Sequence, residues 1–268
     1  MKTTSSVRIS FASTLTTMAL TAATNAALLV HYPFDGSLND ATGNAGPAAL
    51  NNGAVINPAG RFGGALDVTA NNAGGAPTGL ASNAVVAGGT HLDGAFSSNA
   101  MAVSFHQWNN VVQASSAFWI HSPAALANDR GFQAHTPWVN GTIYFDQSGC
   151  CTSLTQRLTT TGTVTGAWQH FVFQRDAAGT MEIWIDGALS NSSTGAEALD
   201  AFNGIITIGS EGNTGNNGFD GLIDDFAIFD RTLSPAEIQH FGVTAVPEPG
   251  SALLGLLGTG LLFARRRR

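Results

Sequence analysis

FDGLIDDFAIFDR, residues Phe219–Arg231, reads as one long β-strand. Along it Leu222, Phe226 and Ile228 fall on one face and Ile223, Ala227 and Phe229 on the other, so a period of two leaves apolar groups on both sides. A strand apolar on both faces belongs in the middle of a layered core. Strict alternation also sends the adjacent carboxylates of Asp224 and Asp225 to opposite faces. At least one of them then needs a partner near the core, because an unpaired buried charge is very costly. Backbone amides of a neighbouring loop would serve, and so would a bound Ca²⁺.

The rest of the chain fits a single sizeable β core. It has 268 residues, 44% hydrophobic and only 11% charged, with 32 glycines, and it shows no long amphipathic helical period. Lys2 and Arg8 lie at the start and Arg265 to Arg268 at the end. Residues 27–243 therefore hold five arginines against 17 acidic residues, a net charge near −12. Phosphate binding needs clustered Lys and Arg, so nucleic acid is disfavoured as a partner.

Short strands separated by Gly, Asn and Asp turns are expected at 28–34, 65–68, 101–108, 116–121, 131–135, 142–146, 156–159, 168–175, 180–185 and 205–208. The clearest piece is AWQHFVFQRDAAGTMEIWIDGAL, residues 167–189, an antiparallel meander turning at Asp176–Gly179 and again at Asp186–Gly187. Residues 71–94 are poor in large apolar groups and read as a long loop with one weak strand. A single short helix is expected after residue 231. There Ser234 at the N-cap, Pro235 at N1 and Glu237 at N3 form a capping box.

Both ends carry export features. Met1–Ala26 has a basic start, a modestly apolar middle and small residues at Thr24-Asn25-Ala26, the pattern of a secretory signal peptide. Val246-Pro247-Glu248-Pro249 is followed by an apolar segment, Ser251 to Ala264, and by Arg265, Arg266, Arg267 and Arg268. Fourteen helical residues span about 21 Å, short for a hydrocarbon layer of about 30 Å, but they can serve as a transmembrane anchor with snorkelling arginines. The arginines would stay cytoplasmic, leaving the body outside the inner membrane. This three-part tail resembles the PEP-CTERM sorting signal of Gram-negative bacteria that make exopolysaccharide. The resemblance implies recognition by an exosortase, cleavage near the Pro-Glu-Pro and release to the cell surface or extracellular matrix.

The body, residues 27–243, resembles the laminin-G-like, concanavalin A-like jelly-roll family. The match lies in HYPFDGSLNDATGN (31–44), RFGGALDV (61–68), the WQHFVFQRD to IWIDG meander, and ITIGS followed by FDGLIDDFAIFDRTLSPAEIQ (205–239). It implies an all-β, two-sheet antiparallel β-sandwich whose first and last strands are neighbours, often with a structural Ca²⁺ beside them. Carried onto this chain, the ligands are Asp40, Asn44 and Asp224.

No catalytic motif emerges. Glu182 and Asp186 share a strand face but lie about 13 Å apart, beyond the roughly 5–9 Å of glycosidase carboxylate pairs. His170 reads as a structural hydrogen-bonding residue. Cys150-Cys151, the only cysteines, would be oxidised in an exported protein. A vicinal disulfide is the expected state, strained because adjacent Cα atoms sit about 3.8 Å apart and rigidifying its turn; an intermolecular bridge and two free thiols are the alternatives. Around them cluster His135, Trp138, Tyr144, Asp146 and Arg157. Strand alternation can place several of these on one face, where an aromatic ring beside polar groups suits a sugar, or Trp138 can simply plug the end of the sandwich. The expectation is an exported, non-enzymatic surface or matrix protein that binds extracellular polysaccharide or another cell-surface ligand. The rivals are a structural or protein-binding adhesin and a polysaccharide hydrolase or lyase.

Overall fold

Alternating apolar residues, punctuated by Gly and Asn turns, build two antiparallel sheets in the computed structural model, which describes residues 27–74, 79–122, 130–149, 155–212 and 215–248. The strands are β1 (Leu28–Tyr32), β2 (Ala49–Asn51), β3 (Val55–Asn57), β4 (Ala65–Asp67), β5 (Asn83–Val86), β6 (Met101–Asn109), β7 (Phe118–His121) and β8 (Arg130–His135). They continue as β9 (Thr142–Gln147), β10 (Arg157–Thr161), β11 (Trp168–Arg175), β12 (Met181–Ile185), β13 (Ala188–Ser193), β14 (Ile206–Ile208) and β15 (Gly221–Phe229). Two short helices, α1 (Asp93–Ser98) and α2 (Pro235–Phe241), complete the set.

One sheet has eight strands, ordered β13-β12-β11-β6-β15-β4-β3 with β1 also on β15; the other has seven, ordered β10-β9-β8-β7-β14-β5-β2. The first and last strands pair, as the jelly-roll resemblance implies. Between the layers lies a phenylalanine-rich core. Phe105 stacks on Phe171 and Phe173 with centroids 5.9 and 6.0 Å away, and meets Phe118 of the facing sheet edge-on at 5.8 Å. These are the offset and T-shaped geometries that ring quadrupoles favour. On the far side of the larger sheet, α2 buries Ile238 and Phe241 against Ala102, Val172, Ala227 and Phe229. The expected capping box is formed: the Glu237 amide donates to Ser234 Oγ, and Glu237 accepts from the Ser234 amide.

Several expectations need correction. Short β2 and β3 occupy what reads as loop, because strands of three residues carry too little periodicity to register. β13 extends the meander past its second turn, and α1 is an additional helix whose first two residues lie in the stretch expected to be loop; the single weak strand expected there is β5. The main correction falls on β15. Its register shifts between Asp224 and Ala227, and Asp225 takes a φ of 53°, so a β-bulge inserts one residue into the alternation. Ile223 therefore faces the main core together with Phe226 and Ile228, while Leu222 does not. Asp224 and Asp225 line one shared cavity instead of opposite faces.

Candidate functional site

On the seven-stranded sheet Phe132, Ala134, Ile143, Phe145 and Leu158 point into the core. The alternate residues of β8, β9 and β10 consequently face outward. Cross-strand register aligns Gln133, Asp146 and Arg157 in one row and His135, Tyr144 and Thr159 in the next. Trp138 follows β8 in the turn to β9, its amide bonded to the Thr142 carbonyl. Arg130, Arg157, His135, Trp138 and Tyr144 thereby line one cleft of about 180 Å³, with Asp146 at its base. All five residues singled out from sequence meet here.

Polar bonds fix the cleft. The Asp146 carboxylate is fully buried and accepts two bonds from Arg157, from Nε at 2.5 Å and Nη2 at 2.6 Å. Gln133 Nε2 donates to the same carboxylate and also meets His135 Nε2 at 3.1 Å. With its proton on Nδ1, the neutral His135 ring donates to the Ser115 carbonyl at 3.1 Å. Burial pushes the His135 pKa down to about 4, so the ring is uncharged at neutral pH. Burial acts to lower the Arg157 pKa, but the Asp146 hydrogen bonds and charge outweigh it and the net shift is upward. The Arg157 guanidinium lies 4.3 Å from the Tyr144 ring centroid, a cation–π contact. His135 meets Trp138 edge-on at 4.6 Å, and Trp138 meets Tyr144 at 6.3 Å and 84°. Trp138, Tyr144 and Arg157 remain half-buried and open to solvent.

Sequence reasoning missed Arg130, Gln133 and Trp119. Gln133 was legible, since it stands two residues before His135 on the same strand. Arg130 was not: a register shift opposite Ile120 and His121 turns it to the outer face, where its guanidinium covers Trp119 at 4.9 Å and faces Asp146 and Glu211 at 3.6 and 3.8 Å.

The three residues carried over as calcium ligands are engaged otherwise. Asp40 accepts from the backbone amides of His31, Thr42 and Ala45 and from Thr42 Oγ1, while Asn44 Nδ2 donates to the Leu29 carbonyl. Asp224 accepts from the Arg61 and Phe62 amides at 2.6 and 2.9 Å, and burial raises its pKa to about 7. N–H groups thus point at the carboxylate oxygens of Asp40 and Asp224. Among the described residues no group of three or more His, Cys, Asp or Glu is placed to hold a metal ion. Glu182 accepts from Trp184 Nε1 and Gln174 Nε2, and Asp186 from the His170 amide and Gln169 Nε2, so each is engaged separately. His170 Nε2 lies 2.8 Å from Ser104 Oγ, as a structural histidine should. Cys150, Cys151, Pro249, Arg265–Arg268, the signal-peptide segment and the apolar segment Ser251–Ala264 lie outside the described residues. Among those described, no helix is long and apolar enough to cross a membrane.

Two stacked antiparallel sheets whose first and last strands pair define a jelly-roll sandwich. The chain belongs to the concanavalin A-like lectin/glucanases superfamily, whose family model matches residues 90–239. Residues 245–268 match the PEP-CTERM protein-sorting motif, which marks the chain for export across the membrane to a cell-surface or extracellular location and for processing by an exosortase-type enzyme. Among solved structures, domain 4 of AbnA, a GH43 extracellular arabinanase from Geobacillus stearothermophilus, in complex with arabinotriose, superposes with a TM-score of 0.61 at 21% identity, covering 81% of this chain and 98% of that one. The binding domain of botulinum neurotoxin DC, in complex with rat synaptotagmin II, gives 0.58 at 16%, covering 81% and 51%. A botulinum neurotoxin type C structure, described as dependent on two ganglioside molecules for cell entry, gives 0.54 at 15%, covering 76% and 47%. The chain thus spans about half the length of those neurotoxin chains, and at these identities the likeness shows the fold alone. Comparison with the curated proteins gives no match.

Proposed function

We propose that this protein is an exported, non-enzymatic surface or matrix component of a Gram-negative bacterium that binds polysaccharide through the cleft of Trp138, Tyr144, His135, Arg130 and Arg157. The observation that carries the reading is the convergence of aromatic faces and fixed polar groups on one solvent-open outer face. Sugar rings present C–H patches that pack on aromatic faces and hydroxyls that bond to charged and amide groups. A cleft of about 180 Å³ suits one sugar unit of a longer chain. The carbohydrate complex of the AbnA domain lends support by analogy of fold. Ordinary glycoside hydrolysis needs two carboxylates flanking the bond. The carboxylate at the base of this cleft, Asp146, is buried beneath Arg157, which favours binding over cleavage.

A glycan array followed by calorimetry tests the proposal, with arabinotriose and uronate oligosaccharides as defined probes. Trp138→Ala is expected to weaken the best saccharide binder about tenfold or more, equivalent to losing one aromatic contact, while leaving the melting temperature near that of the parent. Absence of saccharide binding, with retention of binding to protein or cells, sinks it in favour of an adhesin. Release of reducing ends or unsaturated products sinks the non-enzymatic reading.

A further inference from the structure

Asp225 stands at the bulge of β15 in a left-handed backbone conformation, φ 53°, which non-glycine residues hold only where the surroundings require it. Its side chain is 2% exposed and makes two bonds. Oδ1 lies 2.7 Å from His31 Nε2 on β1, and Oδ2 accepts the Val246 amide at 2.7 Å. Val246 opens the Val-Pro-Glu-Pro sequence of the sorting motif. Its side chain is 3% exposed and packs in the cluster of Phe229, Leu233, Ile238 and Phe241. Pro247 and Glu248 then run exposed along a cavity of about 330 Å³ bounded by His31, Pro33, Asp35, Phe62 and the two aspartates. Val246, Pro247 and Glu248 of the motif are therefore seated on the joined first and last strands of the sandwich.

We propose that this cleft is a docking site for the chain's own sorting motif, and that the sandwich and the sorting enzyme compete for Val246. The backbone amide and the side chain of Val246 are both occupied here, so an enzyme that engages Val246 in reading Val-Pro-Glu-Pro would have to displace them. From Val246 to Pro249 the chain spans at most about 10 Å, too little to thread the motif into another protein while Val246 stays seated. Processing therefore waits on release of the Asp225 latch, which gives an exported domain time to fold before it is freed. This rests on the motif match and is independent of the glycan reading.

The test uses the full chain in detergent, with hydrogen exchange and a proline-specific endoproteinase that cuts between Pro249 and Gly250. In the parent, the Val246 amide is expected to exchange slowly and cleavage to be slow. Asp225→Gly removes the carboxylate at a position whose φ suits glycine. Val246→Pro removes the donor and leaves every sandwich residue in place. Each is expected to speed cleavage about tenfold, the weight of a charge-assisted hydrogen bond, with β6 amides still protected. In cells making the sorting enzyme, pulse-chase of Asp225→Gly should show the precursor disappearing sooner. Should Asp225→Gly expose the β6 amides, Val246→Pro decides alone. A parent Val246 amide that exchanges like free peptide, or unchanged cleavage in Val246→Pro, overturns the proposal.

Discussion

Acid should unfold this domain through a few identifiable protons. Three histidines are buried uncharged: burial lowers His106 and His135 to about 4, and burial with the neighbouring His106 lowers His170 to about 3. The His106 and His170 rings stack at 4.7 Å, so charging one opposes charging the other. An unfolded histidine titrates near 6.5. Between about pH 6 and 4.5 the unfolded chain thus holds nearly three protons that the folded chain lacks, and stability is lost as pH falls. Asp224 acts oppositely, because its raised pKa of about 7 lets the folded state keep a proton that the unfolded carboxylate has shed. The balance is about two protons, or roughly 2.5 kcal/mol per pH unit, so moving from pH 6 to 4.5 should remove about 4 kcal/mol. Urea denaturation at fixed pH steps, in chelator, measures this directly. His170→Gln should flatten the slope by about one proton, roughly 1.4 kcal/mol per pH unit, and Asp224→Asn should steepen it by a similar amount. A flat profile, or variants moving the slope in the reverse sense, would refute the reasoning.

Three further outcomes are expected. Asp146→Asn leaves Arg130 and Arg157 facing each other over a neutral group and should cost about 3 kcal/mol, lowered somewhat because Arg157 can turn to solvent; a loss under 1 kcal/mol in urea titration contradicts the buried-pair account. Gly221→Ala would drive a Cβ into the Trp108 carbonyl on the adjacent strand, so a loss of about 1–3 kcal/mol is expected, read as a lower melting temperature. Titrating Ca²⁺ into chelated protein should leave the melting temperature unchanged, since amides already hold the Asp40 and Asp224 oxygens; a clear rise would show a cation displacing them.

Sequence alone determined the architecture and most of the cleft. Alternating Phe, Ile and Val with Asp-Gly turns leaves few solutions other than stacked antiparallel layers, and the capping box marks α2 by purely local chemistry. His135, Tyr144 and Asp146 share a face because successive side chains alternate along β8 and β9, a rule readable residue by residue. Where that rule is interrupted, only the tertiary structure decided. The bulges beside His121 and Asp225 arise from fitting one strand to its neighbours, and they turn Arg130 outward and bring Asp224 and Asp225 together. The seat of Val246 is likewise invisible in the chain, because helix α2 separates it from Asp225 and only packing of that helix on the outer sheet brings amide and carboxylate within bonding distance.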